Sequence, residues 1–516
     1  MQYLYKSLFV PQLRNGVENI IPLIKSYQYE ILLGTFVFFL VYAIAIFIKS
    51  NRSNFPPGPI GLPIVGYSPF LSADLYLDFF ELGKKYGDVF SLRLGSQNIV
   101  VLHGAEAIKE AMNKSEFLGK PPVSVLELVN PLSPFFGANF ESWKEQRKFV
   151  LHSMKDLGLG KTKIEEDIMD EINHFMEVLK SRNGQPVDVK DPLTPSLSNN
   201  ICALVFGKRY EYDDPERQFL DKNLEQAIES FAQTSPDVLY PWLRHVPFFT
   251  KFLTVDKSLT AYNNFRKFFR KELDKHIQSL DPNNIRDFID RYLLEIDLQK
   301  EKDSNTTFHH AMLTSNAIDI FVPGSETVRT AILWIIYIMA AFPDVQKKVH
   351  QEIMEVIGSE KTPEYMDMRS MPYTNAVILE LLRWKTVVPL NLMRYTLADT
   401  TVGGYDIPKE TIVYANFWSA HHDPRYWNEP DKFIPERFLS EDGKSVVKSS
   451  NFMPFSLGKR VCPGESMAYM EMFLYFASLL QKFDIVFPEG MKPTFNAKLT
   501  ITFRLERFLV KFIPKS

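Results

Sequence analysis

Residues Phe455 to Gly464 read Phe-Ser-Leu-Gly-Lys-Arg-Val-Cys-Pro-Gly. This stretch contains Cys462, one of only two cysteines in 516 residues, and a proline-free apolar segment with helical spacing follows over residues 465–483. The pattern predicts a loop that delivers Cys462 to the start of a helix, where free N–H groups and the helix dipole favour a thiolate. Gly458 and Gly464 leave room for a flat group to approach the backbone.

A lone thiolate restricts the kind of group that this loop can hold. Without a second cysteine or a histidine beside it, Cys462 cannot complete a zinc site. It can be the single protein ligand of haem iron, because the porphyrin supplies the in-plane donors. The alternative is a free cysteine that packs as a small hydrophobe, which is the common state of an arbitrary cysteine. That alternative explains neither the two glycines nor Arg460.

The same ten residues match, position by position, the haem-binding signature of cytochromes P450: Phe, two residues, Gly, one residue, Arg, one residue, Cys, one residue, Gly. The chain therefore resembles this family, and among its members the animal microsomal type. The resemblance implies a mainly α fold with small β-sheets, as a single large domain behind an N-terminal transmembrane helix. It also implies a haem b cofactor with the Cys462 thiolate as axial ligand of the iron, bordered by Phe455, Gly458 and Gly464.

Composition excludes several classes of protein. Apolar residues make up 45% of the chain, enough for a large core, whether in several domains or in one. The formal charge of −3 argues against a nucleic-acid surface. Two cysteines do not make a disulfide scaffold, and this suits a reducing compartment.

The N-terminal part predicts a membrane anchor. Residues 31–48 carry no charge and would span ~27 Å as a helix, about the thickness of an endoplasmic reticulum bilayer. A buried core helix is disfavoured, because nothing precedes the run that could bury it. Flanking Lys and Arg residues are nearly balanced, so the orientation, with a cytosolic domain at the endoplasmic reticulum, comes from the resemblance. The predicted segments are 1–30 (lumenal), 31–49 (anchor), 50–66 (a stiff proline-rich hinge) and 67–516 (haem domain).

The rest of the chain contains predicted strands, where apolar and polar residues alternate, and predicted helices, where apolar residues recur at helical spacing. Val89–Leu94 and Asn98–Leu102 alternate about Gly95 and predict a hairpin. Alternation also predicts strands near 393–415 and 499–513, and helical spacing predicts long helices near 165–180, 215–232, 259–280, 311–342 and 465–483.

The most apolar of these helices contains Asp319–Thr327, which reads Asp-Ile-Phe-Val-Pro-Gly-Ser-Glu-Thr. Pro323 and Gly324 should open the helix locally and leave room for water beside Glu326 and Thr327. The alternative is a simple kink. The segment resembles the oxygen-activating pattern of cytochromes P450, which implies that Thr327 and Glu326 handle protons during oxygen activation. It departs from that pattern in Pro323, where the family has alanine or glycine.

Trp143 and Arg147 lie four residues apart and share a helix face. Alone, such a pair is more often a surface cation–π contact. The resemblance implies instead that both bind the haem propionates, and the same residue-by-residue match adds Lys120, Arg394 and Arg460.

Glu380 and Arg383 form an i,i+3 pair that is worth little on an exposed face. The resemblance implies that Arg437 joins them in a buried network that fixes the cysteine loop. It also implies an apolar substrate pocket, for which the candidate lining residues are Phe321, Val388, Leu390, Leu392 and Ile501.

The activity implied is that of a monooxygenase that inserts one oxygen atom of O₂ into a lipophilic small molecule. Steroid, fatty acid and foreign compound are not separable from these residues. The implied partners are NADPH–cytochrome P450 reductase, docking near Lys459, cytochrome b5 as a second electron donor, and membrane lipid. Two alternatives are a haem isomerase or dehydratase that needs no O₂, against which Thr327 and Glu326 argue, and a haem-thiolate protein that binds a ligand without turnover.

Overall fold

The computed structural model describes residues 27–52, 54–95, 97–122, 127, 129–137, 140–157, 162–231, 255–303 and 305–515. Helices dominate these ranges. They are α1 (Gln28–Arg52), α2 (Leu75–Tyr86), α3 (Ala105–Asn113), α4 (Phe140–Asp156), α5 (Thr162–Lys180), α6 (Lys190–Phe206), α7 (Pro215–Phe231), α8 (Val255–Ser279), α9 (Phe288–Lys302), α10 (His310–Ala341), α11 (Pro343–Val356), α12 (Pro372–Trp384), α13 (Phe417–His422) and α14 (Glu465–Lys482). Short 3-10 turns lie at Ser68–Phe70, Ser115–Leu118, Tyr365–Ser370, Pro435–Phe438 and Gly458–Arg460.

The strands form small sheets, as predicted. They are β1 (Val89–Leu94), β2 (Gln97–Leu102), β3 (Arg394–Tyr395), β4 (Thr400–Val402), β5 (Tyr405–Ile407), β6 (Ile412–Ala415), β7 (Phe483–Val486), β8 (Ala497–Leu499), β9 (Phe503–Leu505) and β10 (Lys511–Pro514). One sheet has the order β1-β2-β6-β3, and its β2–β6 pair is parallel with Val100 opposite Val413. The others pair β10 with β7, β4 with β5 and β8 with β9, all antiparallel. The mainly α prediction and the β1–β2 hairpin are both confirmed.

Helix α10 is the centre of the core. Its sequence is apolar on nearly all sides, and a helix of that kind must be surrounded by protein or lipid. It packs against α6, α8, α12 and α14, and most of its side chains are buried. Two smaller apolar clusters lie around the sheet that contains β1, β2 and β6. The segment that carries Glu326 and Thr327 is therefore held on several sides by packed helices.

Pro323 does not break α10. The helix is continuous from His310 to Ala341, so the predicted local opening is limited to the hydrogen bond that a proline nitrogen cannot donate to the carbonyl of Asp319. One turn later the Thr327 hydroxyl donates to the Pro323 carbonyl at 2.9 Å. This back-bond fixes the rotamer of Thr327 and leaves its oxygen lone pairs as acceptors.

Residues 54–66 of the predicted proline-rich hinge are non-helical, whereas residues 50–52 form the end of α1. Ser91 of β1 donates its backbone N–H to the Pro57 carbonyl at 2.8 Å and its hydroxyl to the Pro56 carbonyl at 2.7 Å. Gly66 also forms a bridge with Leu94, at the end of the same strand. The segment thus lies against the edge of the sheet.

The predicted anchor over residues 31–49 falls within α1. Residues 1–26 of the predicted lumenal segment lie outside the described residues. Within the described ranges, no single helix combines the length and apolarity that a membrane crossing needs. The combination that does is α10 with α11, which meet at 108° and of which α10 is the buried centre of the fold.

Candidate functional site

The cysteine loop is shaped by backbone contacts. The N–H of Cys462 donates to the carbonyl of Phe455 at 2.9 Å and closes the loop, inside which the Gly458–Arg460 turn lies. Gly458 has a φ of +69°, and a Cβ there would collide with the carbonyl oxygen of Met112 on α3. Glycine is therefore required at this position both for its backbone angle and for the close approach of α3.

The side chain of Cys462 is accessible, although protein encloses it on most sides. Burial raises the pKa of the Cys462 thiol, an effect that the Gly464 N–H and the cation of Arg147 oppose and that Glu465 reinforces. The helix start was expected to favour a thiolate, and here burial outweighs it. A bound metal ion would reverse this balance, because coordination deprotonates a thiol.

Four cations lie buried around this loop. Lys120, Arg147, Arg394 and Arg460 are each at most 9% exposed. Within the described part of the chain, none of them forms an ion pair with a carboxylate. Burial, reinforced by repulsion from neighbouring arginines, lowers the pKa of Arg394 to about 10 and that of Arg460 to about 8. Buried cations without counter-ions are costly, so the cluster has the character of a site for an anionic ligand.

The cations are fixed by backbone carbonyls. Nη2 of Arg147 donates to the Val461 carbonyl at 2.5 Å, directly before the cysteine. Nζ of Lys120 donates to the carbonyls of Leu392 and Met393, both at 3.0 Å. These contacts hold the cations in place while leaving their charge uncompensated.

The other two cations are held in a similar way. Arg460 donates to the carbonyls of Leu118 at 3.0 Å and Phe135 at 3.1 Å. Arg394 makes only long contacts of 3.5 Å, to the Ser456 hydroxyl and the Arg460 carbonyl. Arg394 therefore has donors to spare for a ligand.

Trp143 completes the cluster. Its ring centroid lies 3.8 Å from the guanidinium carbon of Arg460, so the cation–π partner of Trp143 is Arg460 and not Arg147, the partner in the alternative interpretation above. The Trp143 side chain is buried, and its Nε1–H has no hydrogen-bond partner among the described residues. A buried unpartnered donor beside uncompensated cations fits the carboxylates of the haem propionates, and the accessible Cys462 fits the iron.

Glu326 is a member of an ion-pair network. Its buried carboxylate accepts from Arg329, from Arg504 Nε at 3.2 Å and from the Thr502 hydroxyl at 3.0 Å. Thr327, the next residue, is half-buried. Glu326 and Thr327, the two predicted proton-handling residues, are neighbours in the chain, and two arginines hold the Glu326 carboxylate in place.

The ion-pair network of Glu326 extends to Glu225 on α7. Glu225 accepts from Arg504 at 2.8 Å, from Lys190 at 2.9 Å and from Arg329 at 3.2 Å, and these cations lower the pKa of Glu225 to about 2 against its burial. None of these partners of Glu326 and Glu225 was predicted from the sequence. Arg329 follows Glu326 by three positions and carried a signal, whereas Arg504 comes from β9 and carried none.

Glu380, Arg383 and Arg437, the three residues of the predicted buried network, contact one another in the structure. Arg383 binds both oxygens of Glu380, at 2.7 and 2.8 Å, and Arg437 adds a contact of 3.1 Å. Glu380 and Arg383 are fully buried. Arg383 also donates to the carbonyls of His421 and Pro430, which ties α12 to the segment that leads to the cysteine loop.

The pocket candidates separate into two groups. Phe321 was expected to line the pocket, and this is wrong: its ring is fully buried against the rings of Phe265 and Phe269 on α8, each at 5.8 Å between centroids. It packs between two helices and leaves no face for a ligand. The remaining candidates are half-buried and keep surface for one: Val388, Leu390, Leu392 and Ile501.

Comparison with known proteins agrees with this geometry. The cytochrome P450 family profile matches residues 56–512. Human cytochrome P450 2J2 is 38% identical over 486 residues, which cover 92% of this chain and 93% of the relative. Cytochrome P450 2B2 of Rattus norvegicus is 39% identical over 467 residues, which cover 88% and 92%.

A third relative, cytochrome P450 2J1 of Oryctolagus cuniculus, is 36% identical over 495 residues, which cover 94% of this chain and 96% of the relative. The resemblance inferred from the cysteine loop is confirmed by these matches. A haem with a cysteine thiolate ligand follows from the family. The chain belongs to the cytochrome P450 family and is a cytochrome P450 monooxygenase.

Proposed function

We propose that the protein is a membrane-anchored haem-thiolate monooxygenase that inserts one oxygen atom of O₂ into a lipophilic small molecule. Electrons come from NADPH–cytochrome P450 reductase, with cytochrome b5 as a second donor, and protons come from solvent. The observation that carries the proposal is the cluster of buried, uncompensated cations around the one accessible cysteine of the described residues.

Haem b, when bound, supplies the activation of O₂ and the oxidation of the substrate. The chain supplies its ligands. Cys462 provides the thiolate, and the hydrogen bond from its N–H to the Phe455 carbonyl closes the backbone loop that carries it. Arg147, Arg394 and Lys120 offer charge to the propionates, and the free Trp143 Nε1–H offers a donor.

Proton handling rests with Thr327 and Glu326. The back-bond to Pro323 holds the Thr327 hydroxyl in one rotamer, so that its oxygen can accept from a water in the active site. Glu326 is tied through Arg504 and Glu225 to the half-buried Lys190, which lies near the outer surface. This network holds the Glu326 carboxylate in one position, next to Thr327 in the chain.

The substrate class follows from the lining. The half-buried candidates Val388, Leu390, Leu392 and Ile501 are aliphatic, and aliphatic walls select for lipophilic molecules through burial of apolar surface. Steroids, fatty acids and foreign compounds all meet this requirement.

We place the protein in the endoplasmic reticulum membrane, with α1 as anchor and the catalytic domain in the cytosol. The reductase docks on the face that carries the exposed Lys459, by complementarity of charge. Three Asn-x-Ser/Thr sites, at Asn51, Asn113 and Asn305, give a direct check. They stay unglycosylated in a cytosolic domain, and modification at Asn113 or Asn305 would place the domain in the lumen.

The test of activity is turnover of lipophilic compounds by the purified protein with the reductase and NADPH under ¹⁸O₂. The proposal expects products that carry one labelled oxygen atom and NADPH oxidation that depends on the compound. Product formed without O₂ would identify an isomerase or dehydratase. A shift of the haem spectrum by compounds that are never converted would identify a ligand-binding protein.

A further inference from the structure

Glu471 of α14 is a buried carboxyl group without a counter-ion. It is 1% exposed, and its hydrogen-bond partner is the Nδ2 of Asn200 on α6, at 2.8 Å. No cation of the described residues pairs with it. Burial raises the pKa of Glu471 to about 8, so the neutral acid is the favoured form at neutral pH.

The Asn200 amide is only half satisfied. Its Nδ2 donates to Glu471 and, at 3.4 Å, to the Tyr475 hydroxyl, whereas its Oδ1 is buried and has no partner among the described residues. A neutral Glu471 needs an acceptor for its own O–H. In the present orientation, Nδ2 of Asn200 donates to the Glu471 carboxylate. If the amide rotates by half a turn, its Oδ1 accepts the proton of the neutral acid, so Asn200 can bond to both protonation states of Glu471.

Further polar side chains lie outward of this pair. The Tyr475 hydroxyl lies 2.6 Å from the Ser196 hydroxyl. Tyr212 donates to Glu171 on α5 at 2.6 Å, and Glu171 is paired with the partly exposed Arg209 at 2.8 Å. Two hydrogen-bonded groups of polar side chains, one around Tyr475 and one around Glu171, thus lie between Glu471 and the surface.

A cavity of about 550 Å³ reaches the same place from outside. Both Asn200 and Glu171 line it, together with charged groups such as Lys163, Asp167 and Arg286. It is far larger than one water molecule and is lined in part by charged groups, so it can hold water next to Asn200.

We propose that Glu471 is an internal proton-exchanging acid, which trades its proton with solvent through Asn200 and the water-accessible cavity between α5 and α6. The carboxyl releases its proton to water, and the carboxylate takes a proton back from solvent, so charge and atoms balance. The titratable groups around it in the described residues are Tyr475, Tyr212 and Glu171, and Arg209 is the cation at the outer end.

A role for this proton in catalysis rests on the proposed monooxygenase function. Monooxygenation consumes protons, and α14 packs directly on α10, the helix of Glu326 and Thr327. Glu471 would then act as a proton-storing residue on a helix that packs against the helix of Glu326 and Thr327.

The direct test is infrared difference spectroscopy of the resting haem protein, wild type against Glu471→Gln, in H₂O and after transfer to D₂O. Gln keeps the shape of the neutral acid. The inference expects a carbonyl band of a neutral carboxylic acid at pH 7, absent in the variant, that shifts on deuteration without unfolding. In Asn200→Leu, which removes the amide, deuteration of that band becomes about tenfold slower.

Two results overturn the inference. If no carboxylic acid band at pH 7 depends on Glu471, the residue is ionised. If the band deuterates only when the protein unfolds, or equally fast in Asn200→Leu, then the carboxyl is an inert core group or exchanges by another route. Because this readout needs no turnover, it is independent of whether the proposed monooxygenase activity is found.

A second readout addresses catalysis. In Glu471→Gln the inference expects a larger solvent isotope effect on product formation and more hydrogen peroxide per NADPH than in wild type. A purely structural neutral acid would leave both unchanged, since Gln is neutral and of the same shape, and that result would reject a role in proton supply.

Discussion

The guanidinium of Arg147 lies 2.5 Å from the carbonyl oxygen of Val461, the residue before Cys462. One side chain of α4 therefore joins the cysteine loop to the cation cluster. In the proposed site, the iron ligand Cys462 and the cations offered to the propionates belong to one hydrogen-bonded unit, so a change at Arg147 should weaken haem binding as a whole.

Replacement of Arg147 tests this unit. Arg147→Met keeps the apolar stem but removes the charge and the bond to Val461, so we expect haem content per protein to fall several-fold, with Arg147→Lys intermediate because it keeps only the charge. Haem is measured by the pyridine haemochrome spectrum. The exposed Lys144 on the same helix gives the control Lys144→Met, which should retain full haem. Full haem content in Arg147→Met would remove Arg147 from the site.

Breaking the buried Glu380 network should strongly destabilise the domain. Glu380→Gln leaves two arginines without their carboxylate, and removal of one partner of a buried ion pair costs about 3–5 kcal/mol. Urea unfolding followed by fluorescence measures the loss. The matched control is Glu436→Gln, which breaks the exposed pair with Lys348 at 2.9 Å and should cost about 1 kcal/mol or less. Equal effects of the two changes would contradict the network.

Lys385 is predicted to lower stability at neutral pH. Its amine lies among the rings of Trp384, Trp334 and Phe495, at 3.9, 5.0 and 5.3 Å from their centroids, and burial lowers its pKa from 10.5 to about 8. The unfolded chain binds more protons between these values, so wild-type stability should rise as the pH increases from about 8 to 10.5.

Lys385→Met removes this cost and keeps the contact with the rings. The variant should melt at a higher temperature than wild type at pH 7, and the difference should shrink toward pH 10.5. Lys348→Met, at an exposed lysine, is the control and should give no such pH-dependent difference. A variant that melts lower than wild type at pH 7 would show that the aromatic rings stabilise the ammonium more than burial penalises it.

Thr327→Val removes the hydroxyl and keeps the shape of the side chain. Without an acceptor for active-site water, we expect product formation to fall about tenfold or more while NADPH oxidation continues and yields hydrogen peroxide. The control is Thr314→Val, since Thr314 makes the same kind of back-bond on the same helix, to the His310 carbonyl at 3.0 Å. Unchanged coupling in Thr327→Val would assign proton handling to other groups.

The sequence predicted the features that depend on neighbours in the chain. The loop around Cys462, the β1–β2 hairpin and the Glu380–Arg383 pair are local, and each is found where spacing indicated. Haem ligation itself came from the resemblance, because a thiol near a helix start has several possible uses.

What sequence could not predict depends on packing between distant segments. Phe321 faces α8 and not the pocket, since the apolar pattern of α10 is nearly continuous and does not reveal which side meets a ligand. Arg504 reaches Glu326 across 178 positions of chain, and the Trp143 ring meets Arg460 and not Arg147. Which partner a given side chain meets is decided by how the helices pack in three dimensions, and local sequence spacing does not determine that packing.

The most direct test of the account is the carbon monoxide difference spectrum of the dithionite-reduced protein, with Cys462→Ala prepared in parallel. Thiolate ligation predicts the red-shifted Soret band of a thiolate-bound carbonmonoxy haem in wild type and its complete loss in the variant. A band typical of imidazole ligation, or a spectrum that Cys462→Ala leaves unchanged, would contradict the assignment of Cys462 as the iron ligand.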